Sequence, residues 1–260
     1  MNKIIVVKIG GSTLGNHDTA IEDIVKLQQQ NKPLVVVHGG GKVVTEWLQK
    51  QGISTTFVRG ERVTDKPTLE IATAVLAGLV NKDIVAAING LGGRAVGISG
   101  VDGAVIEGTI KEPEKGYVGA VVRVNTALLE TLLNSGFIPV VAPIGLNSGE
   151  KKADAPLTLN YNADVVAGEI AAATGAERLI FLTDVEGVTD KSGKLISRMN
   201  PLEAEALITS GVASGGMIPK INSCLTALSS ASTTCIIDGR QPHALLREIE
   251  QSGGGTTIQK

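Results

Sequence analysis

Ile4-Ile5-Val6-Val7-Lys8-Ile9-Gly10-Gly11-Ser12 is an apolar run that stops on a lysine and opens into paired glycines. It reads as an extended strand whose end delivers one cation and several bare backbone N–H groups to the same place, which suits phosphate. The pattern returns at Val35-Val36-Val37-His38-Gly39-Gly40-Gly41, a second strand running into a glycine loop. A third loop, Gly215-Gly216-Met217-Ile218-Pro219-Lys220, carries another lysine in the last quarter of the chain. Two lysines and three glycine loops imply anionic groups held on both sides of a reaction.

The composition supports buried strands. Hydrophobic residues make up 43% of the 260 residues but aromatics only 2%. The core must therefore be layers of Val, Ile, Leu and Ala, as in parallel strands and their covering helices, which favours α/β over a sandwich. The chain is long enough for one large domain or two lobes, and length does not choose between them. Glycine, 32 of 260, falls largely at strand and helix ends, where it punctuates. A net charge of −2 and a pI near 6.0 provide no basic field for nucleic acid or an anionic membrane. Cys224 and Cys235 lack metal-ligand spacing and read as reduced, packed thiols of a cytoplasmic protein. The N-terminus has no signal-peptide pattern, and no run of about eighteen apolar residues is present.

Along the chain, a helix over 18–29 stops at Asn31-Lys32-Pro33 before a strand over 34–37, which makes a first β-α-β unit. After the triple glycine, Val43, Val44, Trp47 and Leu48 share one side of a short helix, with Trp47 expected in the core. Thr64 or Asp65 caps a long helix that has Pro67 in its first turn and runs to Asn89-Gly90. Strands follow at 95–99, 104–110 and 118–124, the last two as a hairpin region. Then come a helix at 126–135, a strand at 137–144 and a polar loop at 147–154, the best boundary between two lobes. The second half holds an extended segment at 157–161, a helix at 163–174, a strand at 179–183 and a turn-rich hairpin at 184–196. Helices at 201–210 and 217–230, a strand at 234–237 and a helix at 244–251 complete the pattern.

Two stock nucleotide motifs fail. Gly90-Leu91-Gly92-Gly93-Arg94-Ala95 fits G-x-G-x-x-A, but a helix precedes it and a strand follows, the reverse of the dinucleotide arrangement. Gly39-Gly40-Gly41-Lys42 looks like part of a P-loop, yet Val36 and Val43 stand where its first Gly and its Ser or Thr belong. The remaining candidates form a constellation. Lys8 sits at a strand's carboxyl end, where open α/β sheets bind ligands. Lys220 follows a glycine loop. Asn160, Asn162 and Asp164 stand at i, i+2 and i+4; capping accounts for Asn162 and Asp164 and leaves Asn160 over. Arg62 precedes a helix start, where no dipole favours it, and its planar fork suits a carboxylate. Asp184-Val185-Glu186-Gly187 lies at a strand's carboxyl end and reads either as a turn or as a nucleotide contact. His38 reads as a packing or loop-anchoring residue, because a carboxylate acceptor needs no base. His17 and His243 have no partner pattern.

In order, Val7-Lys8-Ile9-Gly10-Gly11, Val37-His38-Gly39-Gly40-Gly41, Arg62-Val63-Thr64, Asn160-Tyr161-Asn162-Ala163-Asp164, Thr183-Asp184-Val185-Glu186-Gly187 and Gly215-Gly216-Met217-Ile218-Pro219-Lys220 resemble the amino acid kinase family over nearly the whole chain. Arg-Val-Thr and Asn-x-Asn-Ala-Asp resemble the branch that phosphorylates N-acetyl-L-glutamate. The resemblance implies a three-layer αβα sandwich around a mainly parallel sheet, as a single domain. Its N-terminal lobe, about 1–150, would bind the acyl acceptor and dimerise, and its C-terminal lobe, about 151–260, would bind nucleotide. It implies ATP carrying Mg2+, attack of the acceptor's side-chain carboxylate on the γ-phosphorus, and a homodimer. Lys8 and Lys220 would stabilise the transferring phosphoryl and leaving group, with Asp164 orienting both. Gly40 and Gly41 would offer N–H groups to the substrate, Arg62 would hold its α-carboxylate, and Asn160 would bond its amide. Gly10 and Gly11 would follow the phosphates, with Asp184, Val185, Glu186, Gly187, Val188, Thr189 and Ser214 around adenine and ribose. Lys42 departs from the proline of many relatives. A sister kinase for a carrier-bound aminoadipate and a non-catalytic nucleotide-binding regulator are the alternatives. Only Met1-Asn2-Lys3 precede Ile4, too few for the helix that interlaces arginine-inhibited relatives, so a dimer insensitive to arginine is expected.

Overall fold

The computed structural model describes residues 4–10, 19–58, 61–149 and 155–260. β1 (Ile5–Ile9), α1 (Ala20–Gln29) and β2 (Leu34–His38) form the first crossover unit, followed by α2 (Gly41–Lys50). The short strands β3 (Phe57–Val58) and β4 (Glu61–Arg62) pair antiparallel. Lys66–Thr73 (α3), a wide π-helical stretch Ala74–Val80, and Asn81–Gly90 (α4) make one long helix, whose cap is Asp65 through a bond from the Thr68 amide. β5 (Ala95–Ser99), the hairpin β6 (Ile106–Ile110) and β7 (Gly119–Val124), α5 (Ala127–Asn134), β8 (Ile138–Ala142), β9 (Ile144–Asn147) and β10 (Thr158–Asn160) follow. The remainder comprises α6 (Ala163–Ala173), β11 (Arg178–Thr183), β12 (Arg198–Met199), α7 (Pro201–Thr209), α8 (Met217–Ala227), β13 (Thr233–Asp238), α9 (Ala244–Glu250) and β14 (Gly255–Gln259).

The main sheet has eight strands in the order β12-β14-β13-β11-β1-β2-β8-β5, parallel at every pairing but β13 with β14. A second sheet, β10-β9-β6-β7, stands beside it. Side chains alternate across β1: Val7 and Ile9 pack with Ile24, Leu27, Ile84 and Ile88 on one face, while Val6 packs with Val166, Ile170, Ile221 and Cys224 on the other. This is the expected αβα sandwich. Each fully buried aliphatic side chain contributes about 1.5–3 kcal/mol, so a core nearly free of aromatics suffices.

Several expectations need correction. The strand expected over 137–144 is divided, because Pro143 has no N–H for the ladder; β8 stays in the main sheet and β9 starts the second. Trp47 is not core: it is 39% exposed, with the Lys50 ammonium 5.3 Å from its ring centre, while Val44 and Leu48, one turn apart, take the buried stripe. β12 and β14 were unforeseen. Helix Lys66–Gly90 is long and apolar enough to cross a membrane by length and composition, yet Leu69, Val75, Leu76, Ile84 and Ile88 pack into the fold.

Candidate active site

Lys8 shares its face of β1 with Val6, toward the layer of α6 and α8. There its ammonium lies 2.8 Å from Asp164 Oδ1, an ion contact off the hydrogen-bonding direction, while Lys220 Nζ donates to Oδ2 at 3.0 Å. Asn162 caps α6 by accepting the Asp164 amide at 2.8 Å. The backbone of Asp164 thus takes the cap, which leaves its carboxylate to the lysines. Burial alone would raise the Asp164 carboxyl, but the ammonium groups of Lys8 and Lys220 outweigh it and hold the group below its ordinary range.

Helix spacing brings the second lysine in. A Cβ at Gly168 would lie 2.8 Å from the Ser223 carbonyl oxygen, so glycine there lets α6 and α8 approach until Lys220 reaches Asp164. Gly168 was not anticipated, and only the three-dimensional contact between the two helices identifies it.

A cavity of about 250 Å3 opens at the carboxyl ends of β1 and β2, lined by Gly39–Gly41, Arg62, Leu76, Asn160 and Tyr161 among others. Gly40 has φ 147°, and a Cβ there would lie 2.7 Å from Leu76 Cδ2, so only glycine fits. Among the described residues, neither the Gly40 nor the Gly41 amide donates a hydrogen bond. Arg62 stacks 4.8 Å over Phe57 and donates through Nη2 to the Gly41 carbonyl (2.8 Å) and Thr45 Oγ1 (2.7 Å). Its Nη1 is buried without a partner among the described residues. A cation edge left bare is costly unless a ligand completes it, and burial lowers the Arg62 pKa below its usual value. Asn160 Nδ2 donates to Thr64 Oγ1 (3.2 Å), and Thr64 Oγ1 donates to the Arg62 carbonyl (3.0 Å). Thr64, fully buried, was foreseen only as a helix cap, although it stands in the Arg-Val-Thr motif. Behind Arg62, Lys115 Nζ bridges Glu61 (2.6 Å) and Glu112 (2.8 Å), fastening β4 to the turn before β7.

The expected nucleotide residues lie along other strand ends. The Gly10 amide continues the ladder to the Leu182 carbonyl at 3.2 Å, and Gly11 lies outside the described residues, as does His17. Asp184, Val185 and Glu186 project exposed after β11, and Ser214 is exposed before α8. Gly187 and Val188 are buried: the Val188 amide donates to Thr256 Oγ1 (2.8 Å), and the side chain joins the core. Thr189 bridges to Leu195. Of the expected contacts here, Val188 supports the loop from beneath and presents no exposed side chain. A larger surface cavity of about 560 Å3 lies at the opposite ends of the strands, by Ile4, Leu34 and Ile138, away from the carboxyl ends where such sheets place their ligands. Cys224 and Cys235 are buried free thiols, and burial pushes both up to about 12.

Residues 3–238 match the amino acid kinase family. The chain belongs to that family. An acetylglutamate kinase of Dehalococcoides mccartyi is 49% identical over 99% of this chain and 94% of its own length. One from Cereibacter sphaeroides is 46% identical over 98% and 87%. The crystal structure of smu.665 from Streptococcus mutans UA159 superposes with TM-score 0.82 at 27% identity, covering 100% of this chain and 99% of that one. Family membership accounts for the mostly parallel sheet and for the glycine loops at its strand ends.

Proposed function

We propose that the protein transfers the γ-phosphoryl group of ATP to the side-chain carboxylate of N-acetyl-L-glutamate, giving N-acetyl-L-glutamyl 5-phosphate and ADP, a step of arginine biosynthesis. The observation that carries this reading is Asp164 bridging Lys8 and Lys220 beside a cavity furnished with two glycine amides and an arginine nitrogen that have no partner among the described residues. Identities of 49% and 46% to acetylglutamate kinases, over 94% and 87% of their lengths, support it.

The reacting carboxylate rests on the Gly40 and Gly41 amides, and Arg62 Nη1 holds the α-carboxylate. Asn160 faces the acetamido group. A carboxylate oxygen forms the new O–P bond while the bond from the γ-phosphorus to the bridging β-γ oxygen breaks, and ADP leaves with that electron pair. No proton need move. Lys8 and Lys220 offset the charge on the transferring group and the departing diphosphate, and Asp164 keeps both ammonium groups in place. Fixed charge and orientation are the main requirements of phosphoryl transfer. Gly10, Gly11, Asp184–Thr189 and Ser214 border the nucleotide in this reading, which gives residues 1–150 mainly to the acceptor and 151–260 mainly to ATP, with Gly10, Gly11 and Asn160 crossing that division.

Among the described residues no group of His, Cys, Asp and Glu stands together as a cation cage, and Asp164 is already compensated by two cations. A protein-held divalent ion does not fit this donor set; the Mg2+ of the reaction travels on the ATP phosphates. The protein acts in the cytoplasm as a homodimer. Trp47 and Leu79, 39% and 41% exposed, border an apolar hollow with Ile71 and Ala74 on the outer face of α2 and the long helix, which a second copy would cover.

ADP release measured with N-acetylglutamate, glutamate, aspartate and carbamate tests the reading. Turnover should require N-acetylglutamate. Preference for any other acceptor, or none for all four, rejects it.

A further inference from the structure

His38 ends β2 with no exposed surface, directly before the triple glycine. Its Nδ1 lies 2.7 Å from the Gly39 carbonyl. A carbonyl only accepts, so Nδ1 carries the proton. Its Nε2 lies 3.2 Å from Asn81 Nδ2, which also reaches the carbonyls of Val140 (2.9 Å) and Ile98 (3.3 Å), while Asn81 Oδ1 accepts from Lys82 Nζ at 2.9 Å. Carbonyls at one end of the amide and an ammonium at the other fix its orientation. Nε2 is therefore an acceptor, and His38 is held as one neutral tautomer. Burial, with Lys8 and Lys82 nearby, pushes its pKa down to about 4 despite the opposing bond to Gly39.

The chain of bonds has a single direction: Lys82 donates to Asn81, Asn81 to His38, His38 to the Gly39 carbonyl. Gly97 makes space for it, because a Cβ there would lie 2.0 Å from Asn81 Oδ1 and 2.8 Å from Lys82 Nζ. The carbonyl of Gly39 and the N–H of Gly40 are opposite edges of one trans peptide. Holding that carbonyl turns the Gly40 N–H away from the ring, and an amide whose oxygen accepts a bond is polarised into a stronger N–H donor.

We propose that His38 and Asn81 are positioning residues that set the Gly39–Gly40 peptide so that the Gly40 amide receives the acceptor carboxylate. This rests on the acceptor assignment above. His38 touches no substrate and transfers no proton; it acts through the peptide it grips.

Two His38 variants separate positioning from mere packing. The amide nitrogen of asparagine falls near the place of Nδ1, so His38→Asn keeps the donor to Gly39, whereas His38→Leu fills similar space and removes it. His38→Leu should lower kcat/KM for N-acetylglutamate by roughly tenfold to a hundredfold with KM for ATP unchanged, and His38→Asn should recover most of the loss. Equal losses in both variants, or a parallel rise in KM for ATP, overturn the proposal. A readout independent of turnover is the tautomer itself. With 15N-labelled histidine, the His38 ring should remain Nδ1-protonated and Nε2-bare from pH 8 to 5.5. An imidazolium or the other tautomer in that range overturns the anchor even where His38→Leu does not fold. A correct tautomer in a protein that ignores N-acetylglutamate would instead reject the acceptor assignment.

Discussion

The proposed acceptor side and the proposed nucleotide side of this molecule are built differently. Around the cavity, hydrogen bonds join distant segments, Arg62 to Gly41 and Asn160 to Thr64, while Thr64 and the Gly39 peptide are each also gripped by a near neighbour. Beyond β11 and before α8, Asp184, Val185, Glu186 and Ser214 stand exposed on loops whose anchors, such as Val188 and Thr256, lie underneath. A small acceptor must be fixed to within a fraction of an ångström for in-line attack. A nucleotide offers a large ring and a sugar, so many shallow contacts can share its binding. In the proposed reading, the denser hydrogen-bond network lies where the attacking atom must be aimed.

The comparison is broken most severely at its junction, which serves both sides. Lys8→Arg or Lys220→Ala should leave the fold intact by circular dichroism and lower kcat by roughly a hundredfold or more, the scale of losing a preorganised charge partner; near-normal turnover in either would refute the shared centre. On the acceptor side, Arg62→Ala should raise KM for N-acetylglutamate by roughly tenfold to a hundredfold with KM for ATP nearly constant, because in the proposed binding mode the guanidinium grips a group that does not react. A rise in both constants would make Arg62 structural. Gly168→Ala should push α8 from α6 and reduce kcat by roughly tenfold through a displaced Lys220, with little change in either KM; an unchanged kcat would mean the helices yield elsewhere. On the nucleotide side, Asp184→Asn should raise KM for ATP only about twofold to threefold, since an exposed charge is screened by water. A tenfold effect would show that this loop is as tightly organised as the cavity.

Elements read correctly from sequence are those whose signal is local. β1, β2 and β11 are apolar runs broken only by Lys8 and by polar residues at their ends, because both faces are buried, and Asp65 and Asn162 announce their helices through capping chemistry. β14 escaped because Gly255-Thr256-Thr257-Ile258-Gln259 has scarcely any apolar pattern; its place comes from pairing with β13 and from Thr256 gripping the loop at Val188. Trp47 was misplaced by one helical position, an error only the packing of Val44 and Leu48 corrects. At the site, capping and lysine orientation looked like rival explanations of Asp164, yet its backbone takes the cap while its carboxylate meets Lys8 and Lys220. Thr64 and Gly168 act through partners about a hundred and about fifty-five residues away in sequence, a distance no local spacing encodes. The four expected acceptor residues, Gly40, Gly41, Arg62 and Asn160, share no local sequence signal beyond the family resemblance; the fold brings all four to one cavity.

The wide stretch Ala74–Val80 solves a problem of angular phase. In an uninterrupted α-helix, successive side chains advance about 100°, which would leave Ile88 about 100° around the axis from Leu69. Both are nevertheless buried, as are Leu76 and Val80 between them. The broader turn resets that phase, so that α3 packs on α2 and β10 while α4 packs on α1, β5 and β8. Removing one residue from this stretch would change the angle between these two packings, so only one could be kept. Leu76 and Val80, the neighbours of Gly40, would rotate with the misplaced end. The length of this helix, counted in single residues, is thereby coupled to the shape of the acceptor loop beneath it.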